Sequence, residues 1–345
     1  MSAFSRTGRP LSLLAAALLL SACADDPASS GSAEFAHGSP RPPCRVAVDS
    51  TRSAWFEAPV VVVAGWSDPV KLAAPLNTPC PEDAIEIAPD GSALYFFWSP
   101  VVNGSAADLL HITTGTYRAE RTGADPGVFS EPCFYDLQKG APGGSVDGEP
   151  SFTAAGDSVY FHSTRSANLG YLMSPPVDDP MDIYVAAVVG GEPGPAANLG
   201  RPVNSEFREG EHALGPDGRL YLSSTRPGGL GGVDIWISTR QGGAWSEPVN
   251  PGAPINSPGE DLQPAFAAND PLTMYFTSDR DGPSSIYRSR FNGSAWGLPE
   301  MMITGYVGEA SLVGDGSLLY FVHVLVDAEG VFGADVWYLR RVEGE

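Results

Sequence analysis

Carboxylates recur at fixed offsets along this chain, and carboxylates held in register are its best candidates for chemistry. Aligning segments on a repeated tyrosine (Tyr95, Tyr160, Tyr221, Tyr275, Tyr320) brings Glu149, Glu211, Gln263 and Glu309 into one column, with Ala84 at the first position. Two residues earlier stand Glu82, Asp147, Glu209 and Asp261, with Val307 last. Residues two apart in a strand share a face, so the two columns are expected to form stacked acidic rings. Three uses suit such rings. The carboxylates can accept hydrogen bonds from backbone amides of the neighbouring segment, a purely architectural role. Several converging on one point make an oxygen-rich site suited to Ca²⁺. Two flanking a glycosidic bond serve as acid and base in hydrolysis, which requires unlike environments that a repeated column does not by itself provide.

Other residue types offer less. His37, His111, His162, His212 and His323 form no His-x-His or His-Glu-x-x-His pattern, so satisfied strand histidines are expected rather than metal ligands. A Gly-x-Ser-x-Gly elbow for a serine nucleophile is missing from the sequence. Cys44, Cys80 and Cys133 show no Cys-x-x-Cys spacing, which argues against zinc. Any two of them can form one disulfide, and spacing leaves the pair open. Arg165, Arg226 and Arg280 recur in successive repeats, two of which also carry Asp182 and Asp234, and a charge-assisted hydrogen bond between the two types is expected. Gly228-Gly229-Leu230-Gly231-Gly232 reads as a loop with positive-φ positions and not as a phosphate cradle, because no helix follows.

The elements that must position these groups are short strands. The repeated tyrosines fall at intervals of 65, 61, 54 and 45 residues. Before them stand turns such as Pro89-Asp90-Gly91, Pro216-Asp217-Gly218 and Gly314-Asp315-Gly316, where Asp caps the turn and Gly accepts positive φ. After them stand Ser163-Thr164-Arg165, Ser224-Thr225-Arg226 and Ser278-Asp279-Arg280, then Asp182-Ile183-Tyr184, Asp234-Ile235-Trp236, Ser285-Ile286-Tyr287 and Asp335-Val336-Trp337. A fourth strand is marked by Phe129-Ser130-Glu131-Pro132, Trp245-Ser246-Glu247-Pro248 and Trp296-Gly297-Leu298-Pro299. Four short strands per repeat is the pattern of a propeller blade. The last repeat lacks its fourth strand, and an orphan copy, Trp66-Ser67-Asp68-Pro69, lies near the N-terminus. An all-β propeller follows, with the N-terminal strand completing the last blade and hiding the open edges. Five blades are favoured; the apolar run Val60 to Val63 leaves room for a further strand or a sixth. The inner strand of each blade lines the central channel, so the acidic columns are expected at its mouth.

The pattern N-S … E … P-D-G … L-Y-x-S-S-x-R-P-G-G-x-G-G-x-D-I, with its copies between about residues 66 and 341, resembles the WD40-like PD40 propeller repeat of the TolB family. That resemblance implies a β-propeller and interaction with envelope or peptidoglycan-associated partners. PD40 blades also occur beside hydrolase domains, and no partner-specific residue carries over.

Arg6 and Arg9 precede an apolar run, Leu11 to Leu20, too short to span a membrane. Leu20-Ser21-Ala22-Cys23 resembles the bacterial lipoprotein box, which implies cleavage before Cys23 and lipid attachment to its thiol. Residues 1–22 are therefore read as a lipoprotein signal peptide, 23–43 as a flexible tether, and 44–345 as the propeller. The lipoprotein resemblance also implies, from Ala24 rather than Asp after the cysteine, the outer membrane of a bacterial envelope. The net charge of −21, or −23 without Arg6 and Arg9, argues against nucleic acid and against direct binding to anionic lipid, leaving the lipid as the only membrane contact. The expected function is a monomeric, non-enzymatic module that binds an envelope protein or a glycan and needs no cofactor. The alternative is a carbohydrate-active hydrolase, or a Ca²⁺-dependent glycan binder, using the acidic channel mouth.

Overall fold

The computed structural model describes residues 37–45, 58–101, 110, 112–139, 141, 145–172, 180–327 and 330–342. The expected signal peptide, Cys23, most of the tether and His111 lie outside the described residues.

Five small antiparallel sheets form the five blades of a propeller. The inner strands are Glu82–Ile87, Asp147–Phe152, Glu209–Leu214, Asp261–Ala267 and Val307–Leu312. Each is followed by a second strand carrying the repeated tyrosine (Ala93–Trp98, Ser158–Ser163, Leu220–Ser224, Asp270–Ser278, Leu318–Asp327) and a third (Gly115–Glu120, Asp182–Val189, Asp234–Ser238, Ser285–Arg290, Gly330–Arg340). Apolar residues pack between neighbouring blades. Tyr221 and Ile235 of blade 3 meet Met274 and Phe276 of blade 4, and Tyr320 and Val336 of blade 5 meet Ile85 and Phe96 of blade 1. Every sheet thus buries both faces while the turns stay at the rims.

Closure follows the orphan motif. Val70–Lys71 pairs with Trp337 and Tyr338, Trp66 bridges Arg341, and Ser67 Oγ accepts the Arg340 amide, so the N-terminal strand completes blade 5. The apolar run upstream adds a fifth strand to blade 4, with Val60 opposite Thr304 and Val61 opposite Ile303, and does not begin a sixth blade. Asparagines clip adjacent segments together by imitating a peptide group. Asn256 Oδ1 accepts the Ile235 amide and its Nδ2 donates to the Ile235 carbonyl, and Asn204 and Asn77 do the same for Ile183 and Val336.

Two expectations are corrected. The tether stops before residue 43, because the chain from His37 onward runs along blade 1: Gly38 and Arg41 donate their amides to the carbonyls of Phe134 and Pro132. The repeated arginines do not pair with the third-strand aspartates. Asp234 accepts the amides of Leu230 and Gly231, and Asp182 accepts the Leu169 amide and Asn198 Nδ2. Each aspartate closes the loop at the start of its own strand. The arginines reach inward instead.

Candidate functional site

The channel is shaped by one irregularity repeated five times. Ala84, Glu149, Glu211, Gln263 and Glu309 all take the left-handed conformation, with φ of 52°, 49°, 45°, 56° and 56°. At each the pairing with the second strand slips, between Asp83 and Glu86, Gly148 and Ser151, Gly210 and Ala213, Leu262 and Ala265, and Gly308 and Ser311. These are β-bulges, and a bulge re-aims the side chains on either side of it. The two acidic columns therefore do not share a face.

The outer column is turned into the blades. Glu82, Asp147, Glu209 and Asp261 are each 0% exposed. Glu209 is held by Ser205, by Ser224 Oγ at 2.9 Å and by Arg226 Nη2 at 3.0 Å. Asp261 is held by Ser257, Ser278 and Arg280, and Asp147 by Ser145 and by Arg165 at 3.4 Å. Glu82 is held by Thr78 and by Arg41 at 3.1 Å. Burial raises the pKa of Glu82, Asp147 and Glu209, with the facing arginine opposing it in each case. These four carboxylates pin the blade ends and are not at the channel.

The inner column does converge on the axis. Gln263 Oε1 accepts the Glu309 amide at 3.1 Å and its Nε2 donates to Glu309 Oε1 at 3.2 Å. Glu309 Oε2 in turn accepts the Ala84 amide at 2.6 Å, so side chains of blades 4 and 5 each bind the backbone of the next blade. Ser223 and Ser151 do likewise for the amides of Gln263 and Leu214. Glu211 pairs with Arg208 Nη2 at 3.1 Å. Glu149 Oε2 lies 3.6 Å from His162 Nδ1, and neither atom has a hydrogen-bond partner.

Blade 1 carries a swap. Where blades 2, 3 and 5 have Gly148, Gly210 and Gly308, it has Asp83; where they have the axial carboxylate, it has Ala84. The glycines leave room for side chains of the neighbouring segments: a Cβ would sit 2.6 Å from Met181 Sδ at Gly210 and 2.8 Å from Gln263 Oε1 at Gly308. Asp83 instead reaches Glu309, and their carboxyl groups share a hydrogen bond. Such a bond needs a proton on one of them. Burial, then the charges of Asp83 and Glu149, push Glu309 well above the usual carboxylate range, and burial raises Asp83 as well. Burial and the charges of Glu211 and Asp83 raise Glu149 similarly. Glu86, which accepts the Ser311 hydroxyl at 2.7 Å, is pushed by burial to about 8. His162 is lowered by burial to about 4, so its ring is neutral near pH 7.

The cavity on the axis, lined by Glu86, Glu149, Glu211, His212, Gln263 and Glu309 among others, holds about 70 Å³ of solvent space. That is room for a few waters. Ligand pockets for small molecules run to about 300–1,000 Å³, several times larger. Among the described residues no group of three or more His, Cys, Asp or Glu side chains is placed to hold a metal ion. Chemically, burial favours the protonated form of the Glu86, Glu149 and Glu309 carboxyls.

Sequence reasoning missed Asp83, Glu86, Arg208 and Arg41. The gap at Ala84 was a signal for Asp83, since an acid one position away can fill the same space across a bulge. Of the three cysteines, Cys44 and Cys80 form the disulfide and Cys133 is a free, exposed thiol.

No family model matches the chain, and no curated protein does. Solved structures of similar shape include a candidate TolB from Agrobacterium tumefaciens, 15% identical over 77% of this chain and 92% of that chain, with a TM-score of 0.43. Another is a protein of unknown function from Dyadobacter fermentans, 12% identical over 81% and 100%, TM-score 0.46. A third is the alpha-L-arabinofuranosidase of Lactobacillus brevis, 12% identical over 73% and 85%, TM-score 0.47. Likenesses this distant say nothing of function.

Proposed function

We propose that this protein is a non-enzymatic binding module of the bacterial cell envelope, a TolB-like propeller anchored through lipid on Cys23 and presenting one face to a protein or glycan partner. The observation that carries this reading is the use of the carboxylates. Glu82, Asp147, Glu209 and Asp261 are consumed by arginines and hydroxyls inside the blades. The axial acids surround a cavity of about 70 Å³, several times smaller than ligand pockets for small molecules. A disulfide between Cys44 and Cys80 fits an exported protein, since such bonds persist outside the reducing cytosol. The resemblance of its repeats to PD40 blades supports an envelope role.

The test is crosslinking of the lipidated protein in cells, with bound proteins and glycans identified together and hydrolysis of any recovered glycan assayed directly. A defined protein partner, or a glycan bound without turnover, is the expected result. Turnover of the glycan would overturn the non-enzymatic reading. A second reading, cation-dependent binding at the axis, rests on the unpartnered Glu149 Oε2 and His162 Nδ1. It predicts Ca²⁺ binding by calorimetry that is lost on replacing Glu149, Glu211 and Glu309 by Gln; no heat with the wild-type protein would end it.

A further inference from the structure

Blade 1 has no arginine of its own at the end of its second strand. After Trp98 it reads Ser99-Pro100-Val101, where blades 2, 3 and 4 place Arg165, Arg226 and Arg280. The N-terminal segment supplies one. Arg41, with its side chain 6% exposed, donates through Nη1 to the Leu76 carbonyl at 2.8 Å and to Glu82 Oε1 at 3.1 Å, and through Nη2 to the Pro75 carbonyl. Its guanidinium lies 5.6 Å from the Phe96 ring centre and 5.7 Å from that of Trp98. Arg280 makes the same set in blade 4: the carbonyls of Pro254 and Ile255, the carboxylate of Asp261, and the rings of Phe276 and Tyr287, both at 5.2 Å. The socket is common to both blades, and in blade 1 a distant part of the chain fills it.

That part is held on both sides. Residues 38–41 run along the outer edge of blade 1, with Pro40 in an isolated bridge to Cys133. Gly38 donates to the Phe134 carbonyl at 2.9 Å, Phe134 to the Ser39 carbonyl at 2.7 Å, and Arg41 to the Pro132 carbonyl at 3.1 Å. Three residues beyond Arg41, Cys44 is bonded to Cys80, two residues before Glu82. The covalent bond therefore joins the segment carrying the arginine to the segment carrying its carboxylate partner.

We propose that residues 37–45 form a strap that completes blade 1, and that the Cys44–Cys80 disulfide is the latch that keeps Arg41 in its socket. Blade 1 then reaches its final form only on oxidation. The step balances by thiol–disulfide exchange with a disulfide oxidant. The Cys44 thiolate attacks one oxidant sulfur and expels the other as a thiolate. The Cys80 thiolate then attacks the Cys44 sulfur of the mixed disulfide and expels the second. Two electrons pass to the oxidant, and the two cysteine protons end on its thiols. Without the bond, four backbone hydrogen bonds, counting the one from the Arg45 amide to the Pro100 carbonyl, and the Arg41 contacts with Glu82, Leu76 and Pro75 must order the strap against its conformational entropy, and Glu82 has Thr78 as its remaining partner when the strap leaves.

The experiment is amide hydrogen exchange on the full chain carrying Cys133→Ser, oxidised, then treated with dithiothreitol. It is repeated with Cys44→Ser/Cys80→Ser and with oxidised Arg41→Ala. Peptides covering residues 37–45 and 133–134 are compared with Leu220–Ser224 of blade 3. Loop-closure entropy for a 36-residue separation sets the expected acceleration at the strap on reduction at about a hundredfold or more, with blade 3 unchanged. Arg41→Ala accelerates the same peptides with the disulfide intact. Unchanged strap exchange on reduction overturns the latch, and unchanged exchange in Arg41→Ala overturns the arginine's role. Equal acceleration in blade 3 overturns the strap as a separable element.

Discussion

Replacing Glu86 by Gln tests whether the channel carboxyls are protonated near neutral pH. Glu86 accepts the Ser311 hydroxyl at 2.7 Å, and Ser311 Oγ accepts the Ile87 amide at 2.9 Å, so Gln keeps the hydrogen bond and imitates the protonated acid. Burial raises the carboxyl pKa from 4.5 to about 8. Between these values the folded chain binds a proton that the unfolded chain has released, so stability falls as pH rises. From pH 6 to pH 8 the folded group passes from almost fully protonated to half ionised, which amounts to a loss of about 2 kcal/mol in the wild type relative to the variant. The carboxyl is partly open to channel solvent, which makes this an upper figure. The assay is urea unfolding of both proteins at pH 6, 7 and 8. Their stability difference should shift steadily toward the variant. Parallel pH profiles would refute the claim that Glu86 is held neutral by its burial.

Arg226→Ala leaves Glu209 buried without its cation and should cost about 3–5 kcal/mol. Arg288→Ala removes a pair in which Glu300 is 56% exposed and should cost under about 1 kcal/mol; similar unfolding midpoints for the two would contradict the assigned roles. On the acid side, burial lowers the His323 pKa to about 4. The unfolded chain takes up a proton below about pH 6.5 that the folded chain refuses, so stability is lost as pH falls from there toward 4. His323→Gln should remove that loss, about 1–2 kcal/mol by pH 5, measured as the difference in unfolding free energy between pH 6.5 and 5.

The bulges explain why the site was harder to read than the fold. Left-handed backbone is usually announced by Gly or Asn, yet the five positions hold Ala, Glu, Glu, Gln and Glu. Nothing local asks for that conformation; the neighbouring blade imposes it, through amides such as those of Glu309 and Ala84 that need partners on the previous blade. Once the strand bends there, Glu209 and Glu211 part company, one to Arg226 inside the blade and the other to Arg208 beside the axis. The repeated arginines bypass the aspartates nearest them in sequence for a related reason. Asp234 is nearer to Arg226 in sequence than Glu209 is, but the two unpaired amides of the glycine loop claim it first.

By itself, the order of residues determined the blade pattern and the closure, and favoured five blades while leaving room for a sixth, which the pairing of Val60 and Val61 with blade 4 removed. Turn residues, strand tyrosines and the Trp66-Ser67-Asp68-Pro69 motif act locally, and their spacing alone dictates which strands can pair. Only the tertiary structure decided which carboxylate faces the axis, which arginine meets which acid, that Cys44 joins Cys80, and that Arg41 fills the socket blade 1 leaves open. Those outcomes depend on burial and on atoms brought together from distant parts of the chain, where the need to neutralise a charge removed from water outweighs proximity in sequence.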